Sequence, residues 1–200
     1  DDYVSRGQSF QATYSSDDKN TTLTVGLGNS NDKILPNSSN LTEIRSKDVL
    51  DGILGVTQVF TAVDIGQITY RRSHGRGYFS DQYKLFDARP ETRSSDSVLL
   101  RWNHHFVESN STLKSAYRYY RDSWKIQSHT LSFDYVKNFN HGWSVTPLVR
   151  FYSQTKAQFY HEATSSDIDY VALTEKIWGP TLDTTGPILN NLSLDQRLSS

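Results

Sequence analysis

Apolar and polar residues alternate along most of this chain, in runs of about ten positions separated by polar turns. The clearest stretch runs from Leu113 to Tyr152 and holds three such runs. Leu113–Tyr120 sets Leu113, Tyr117 and Tyr119 against Lys114, Ala116, Arg118 and Tyr120. His129–Lys137 sets Leu131, Phe133 and Tyr135 against Ser132 and Asp134. Trp143–Gln154 sets Val145, Pro147, Val149 and Phe151 against Ser144, Thr146, Arg150 and Tyr152. Period two is the mark of a strand whose two faces meet different surroundings. Pro147 falls mid-strand, where a missing N–H predicts a bulge or local distortion.

The same alternation predicts five earlier strands. Gly7–Tyr14 aligns Phe10, Ala12 and Tyr14, and Thr21–Gly28 aligns Leu23, Val25 and Leu27. Asp48–Phe60 aligns Leu50, Leu54, Val56 and Phe60, and Ile65–Arg72 returns. Ser97–Val107 aligns Val98, Leu100, Trp102 and Phe106 against Arg101, Asn103 and His105. A further strand is expected to begin at Leu192–Ser200. Connections alternate in length. SSDDKN, TAVD, ESNST and the Asn-rich, Gly-ended NFNHG are short, whereas Asn29–Ser46, Ser73–Ser95 and Lys156–Asn191 are long. Strands of about ten residues, aromatics toward their ends, and short turns on one side with long loops on the other predict an all-β, antiparallel up-and-down transmembrane β-barrel. Lipid would then meet Leu131, Phe133, Tyr135, Val145, Val149 and Phe151, and the long connections would share one side of the membrane.

Composition is compatible with that reading without deciding it. The chain has 200 residues, 36% of them hydrophobic, with a mean hydropathy of −0.62. A barrel looks this polar because only alternate strand residues face lipid. No apolar run approaches the ~18 residues of a membrane-spanning helix. The 12 Tyr and 9 Phe suit strands and membrane–water boundaries. A net charge of −1 points away from nucleic acid. The absence of cysteine excludes disulfides, thiolate metal sites and a cysteine nucleophile. The chain begins at Asp1, as expected of a processed or partial chain, and one domain over residues 1–200 that continues past Ser200 is the expectation.

Candidate chemistry concentrates on the polar phase. Arg101, Asn103, His105, Lys114, Arg118, Asp134 and Arg150 fall on that phase of successive strands. They are expected to line a lumen, either as a charge-paired interior or as a solute path whose arginines favour anions. His104 and His105 are adjacent and must point to opposite faces, so they do not form one metal site. Ser128 and His129 diverge for the same reason, and no G-x-S-x-G elbow occurs, so no catalytic residue, metal or cofactor is expected. The loop Gly77–Arg93, rich in Tyr, Phe and Arg, reads as a packed cap or as a binding surface. Sequons begin at Asn20, Asn37, Asn40, Asn110 and Asn191, as Ser/Thr-rich loops produce by chance.

The segments GVTQVF (Gly55–Phe60), GYFSDQYK (Gly77–Lys84), ARPETR (Ala88–Arg93), AYRYYRDSWKIQSHTL (Ala116–Leu131), RFYSQTKAQFY (Arg150–Tyr160) and LDQRLS (Leu194–Ser199) occur in this order. Together they resemble a family of bacterial outer-membrane proteins known as domain of unknown function 3570, over roughly Gly55–Ser200. The resemblance implies a Gram-negative outer-membrane barrel and no particular activity. The expected task is a passive, porin-like pore or a structural scaffold, with outer-membrane lipid and another envelope protein as partners. The competing class is a soluble or surface-attached β-sheet binding module, whose apolar faces would form one core between sheets.

Overall fold

The computed structural model describes residues 3–35, 44–81, 87–161 and Leu198. The strands are β1 (Tyr3–Ser15), β2 (Thr21–Ile34), β3 (Arg45–Val59), β4 (Asp64–Gly77), β5 (Thr92–Phe106), β6 (Ser111–Asp122), β7 (Gln127–Asn138), β8 (Ser144–Val145) and β9 (Leu148–Gln154). β1 to β8 pair antiparallel in chain order, and β9 continues beside β7 where β8 stops. The architecture is an all-β up-and-down sheet, with a 3-10 turn at Asn140–Gly142 between β7 and β8. β1 and β9 do not pair with each other, so the described sheet is open where the sequence predicts a closed barrel.

The strands outrun their apolar cores. β2 continues through Asn29–Ile34 and β3 starts at Arg45, which cuts the connection expected at Asn29–Ser46 to residues 35–44. Likewise β4 reaches Gly77 and β5 begins at Thr92. The backbone ladder needs no apolar side chain, and here polar pairs hold the strand ends. Ser5 Oγ donates to Asp32 at 2.6 Å, Lys47 sits 3.0 Å from the same carboxylate, and Asn31 Nδ2 donates to Asp48 at 2.6 Å. The loop expected at Lys156–Asn191 and the strand expected at Leu192–Ser200 lie outside the described residues, apart from residues 156–161 and Leu198.

Pro147 interrupts a strand without bulging it. Lys137 pairs Val145 and Asp134 pairs Leu148, so the register passes Thr146–Pro147 with no inserted residue. The Pro147 carbonyl still accepts from the Tyr135 N–H at 3.1 Å; the ladder loses only the donor that proline lacks. At the short connections the backbone closes tightly. In NFNHG, His141 and Gly142 both take left-handed φ, and Phe139 N–H donates to the Trp143 carbonyl at 2.8 Å. In SSDDKN, Asp18 accepts from Ser16 Oγ and from the backbone and side-chain nitrogens of Asn20; these bonds, the Ser16 hydroxyl first, hold its carboxyl below the usual range.

The two faces of the sheet differ in an unusual sense. One carries Phe10, Leu27, Leu54, Ile68, Trp102 and Phe151, all exposed. The other is polar and more occluded, with Gly26 and Asp32 buried. In a single-layer sheet this difference arises when the polar face is concave. Among the described residues the apolar core is not under the sheet at all. It is a small cluster of Trp124, Ile126, Ala157, Phe159 and Leu198, joined by Phe79, Tyr120 and Tyr160, at the end where the long connections emerge. Trp124 meets Phe79 and Phe159 edge-on, with ring centroids 5.6 and 5.2 Å away, and its Nε1 donates to the Thr92 carbonyl at 3.0 Å.

Since Trp124 is almost fully enclosed, Trp124→Ala should lower the unfolding free energy of the chain in detergent micelles by about 3–5 kcal/mol. Urea titration followed by tryptophan and tyrosine fluorescence measures this; a loss below about 1 kcal/mol would mean that this cluster does not anchor the sheet end.

Candidate functional site

Alternation decides which side chains reach the concave face, and register decides which of them meet. Arg101, Ala116, Ser132 and Arg150 lie in one row across β5, β6, β7 and β9. One row toward the long connections stand Leu99, Arg118 and Thr130; one row the other way stand Asn103, Lys114 and Asp134. His105 lies beyond them, opposite Thr112. All seven polar residues singled out in the sequence therefore share one face of adjacent strands. The six apolar ones, Leu131, Phe133, Tyr135, Val145, Val149 and Phe151, share the opposite face.

The polar set is a field of cations around a floor of small side chains. Arg101, Lys114, Arg118 and Arg150 are exposed and surround Ala116 and Ser132. Asp134 is the carboxylate in the set, and one of its oxygens, like the Thr130 hydroxyl, is buried without a hydrogen-bond partner. Among the described residues no ion pair joins these seven to one another, while elsewhere on the same face Lys47 pairs Asp32 and Arg71 pairs Asp51. Arg101 Nη1 instead donates to Gln67 Oε1 at 3.2 Å, and His105 Nδ1 lies 3.0 Å from Thr112 Oγ1. Asp134 stands opposite Lys114, which leaves Arg101, Arg118 and Arg150 as like charges on one face, and these raise the local potential for anions.

The histidines sit as the pleat requires. His104 turns to the outer face, 2.7 Å from Asp64, while His105 faces inward. His129 is on the outer face, 2.7 Å from the Tyr117 hydroxyl, and the neighbouring Ser128 is buried on the concave one. Among the described residues no three His, Asp or Glu side chains converge as metal ligands.

Two groups in this region are not legible from strand phase. Arg93 and Asp122 meet at the end of the concave face. Asp122 accepts from Arg93 Nη2 at 2.8 Å, from the Tyr120 hydroxyl at 2.9 Å, and from the backbone N–H groups of Trp124 and Ile126 at 3.0 Å each. The Arg93 guanidinium lies 4.2 Å from the Trp124 ring. One carboxylate thus ties β5 and β6 to the apolar cluster. The signal was present in RDSWKIQ, a turn with an acidic residue ahead of backbone donors, but its partner Arg93 is 29 residues away. The loop Gly77–Arg93 is described at residues 77–81 and 87–93, and it sends Phe79 into the same cluster.

A family model described as protein of unknown function (DUF3570) matches residues 37–200. The chain belongs to this family. The DUF3570 match spans β3 to β9 with both the cation field and the Asp122 hub. No curated protein and no solved structure matches the chain.

Asp122→Asn keeps the shape of the hub and removes its charge. With the carboxylate fully enclosed and Arg93 a third exposed, the change should cost about 2 kcal/mol in urea unfolding. A variant as stable as the parent would show that Asp122 contributes through shape alone.

Proposed function

We propose that the chain is the wall of a transmembrane β-barrel in a Gram-negative outer membrane, acting as a passive pore that favours anions. The observation that carries this is one row of the outer face: Tyr14, Leu23, Val56, Ile68, Leu100, Tyr117, Leu131 and Phe151 stand side by side across all eight strand positions. A water-facing sheet does not expose such a row, and a soluble binding module would cover it with a second layer. Among the described residues no layer lies over it. Lipid is the solvent that suits it, with Phe60, Trp102, Phe106, Phe139 and Trp143 near the short-turn end as interfacial aromatics.

The apolar band also slides along the strands. It centres on Val25 in β2 and on Leu148 in β9, and the register carries Leu148 back to position 20 beside β2. A slide of about five residues at ~3.3 Å each, across six strand spacings of ~4.8 Å, corresponds to strands tilted by about 30° to the band. Barrel closure demands such a tilt. The reading requires the free edges of β1 and β9 to be paired by further strands or another copy, because unsatisfied backbone is not tolerated in lipid. No enzymatic role is proposed.

Val149 lies within the band, so Val149→Arg should disfavour insertion into lipid vesicles by about 2–4 kcal/mol, measured by urea titration of folding into the bilayer. An unchanged free energy would remove Val149 from the membrane.

Planar-bilayer recordings of the parent protein should give anion-selective reversal potentials, and Arg101→Gln, Arg118→Gln and Arg150→Gln together should shift them toward zero. Absence of any conductance would reject the pore and favour a scaffold for another envelope protein.

A further inference from the structure

β4 carries two adjacent arginines, and the pleat sends them to opposite faces. Arg71 turns to the concave face, where Nη2 lies 2.8 Å from Asp51. Arg72 turns outward, opposite Asp96 of β5, which in turn stands opposite Arg121 of β6. Asp96 is the recessed member of this row. Arg72 Nη1 and Arg121 Nε approach its two oxygens at 3.4 and 3.5 Å, and the Tyr70 hydroxyl donates to it at 2.5 Å. Both guanidinium side chains stay nearly two-thirds exposed, at 65% and 63%. The carboxylate therefore spaces two cations, neutralises one charge, and leaves most of their N–H donors pointing outward.

The place of the row gives it meaning. The next row toward the short turns is Tyr70, Val98 and Tyr119, and the one after it is Ile68, Leu100 and Tyr117. They lie about 7 and 14 Å away by strand rise. On the other side follow His74 with Ser94, then Arg76 with Thr92. Along three strands the outer face passes from apolar, through tyrosine, to arginine.

We propose that Arg72, Asp96 and Arg121 form a docking site for the phosphate headgroup of an anionic membrane lipid, whose acyl chains lie on Leu100, Val98 and Tyr117. The proposal rests on the membrane reading above. Guanidinium matches phosphate through paired N–H donors. A free anion would meet only two exposed, screened cations. A lipid adds acyl contact on the apolar rows directly below, and that continuity selects it.

The test uses the protein folded into phosphatidylcholine vesicles that also contain phosphatidylglycerol, with the lipids retained after release counted by native mass spectrometry. The parent should retain phosphatidylglycerol above its bulk proportion. Arg72→Ser and Arg121→Ser should each lower that enrichment about fivefold. Asp96→Asn, which keeps the Tyr70 hydrogen bond and frees both guanidiniums, should raise it; a merely structural role for the row would move it the other way. Insertion with the two lipids kept at the bulk ratio, or enrichment indifferent to all three variants, would overturn this site alone. Failure to enter any vesicle would overturn the membrane reading and the site with it.

Discussion

A slip of one residue in β5, β6 or β9 would carry Arg101, Arg118 or Arg150 onto the face that now holds Leu100, Tyr117 and Phe151. Side chains alternate with a period of two, so register and sidedness are the same constraint. The chain meets it without a break: pairing runs unshifted from Tyr3 opposite Ile34 to Gln154 opposite Ser128, and even Pro147 costs a donor and not a register step. The turns help. Each short connection closes on its own hydrogen bonds, as Ser16 with Thr21 and Phe60 with Asp64 do, and so fixes where the next strand starts.

That constraint produces an inverted distribution of polarity. The charged side chains of the cation field fall on the concave side, and the greasy side is convex. The hydrophobic effect cannot hold such a sheet together in water, because the face that would drive burial is the one left outside. Cross-strand hydrogen bonds and local polar pairs such as Lys47 with Asp32 and Arg71 with Asp51 hold the described strands together. An apolar solvent against the convex face would add the missing term, and the lipid-facing function proposed for the protein follows from that single imbalance.

The enclosed cluster at the long-connection end works on different physics. Trp124, Phe159 and Leu198 pack as an ordinary core, and Asp122 satisfies two backbone donors there while pairing Arg93. It stands at the long-connection end of the concave face. In the pore proposed for this protein, the exposed arginines further along would keep their charge available to a solute.

Much of this was decided within single strands, and there the amino-acid sequence sufficed. Alternation is local, so the partition of Leu131, Phe133 and Val149 from Lys114, Asp134 and Arg150 could be read without knowing any partner, and so could eight strands and their short turns. Strand ends could not be read that way: residues 29–33 and 45–47 are polar on both faces, and it is the backbone ladder that keeps them extended. Nor could meetings across strands. Asp96 lies 24 residues from Arg72 and 25 from Arg121, and Asp122 lies 29 from Arg93; only pairing brings them together. Local pattern determines which way a side chain points, because the pleat is a property of one strand. Whom it meets is a property of register between strands, and that belongs to the tertiary structure.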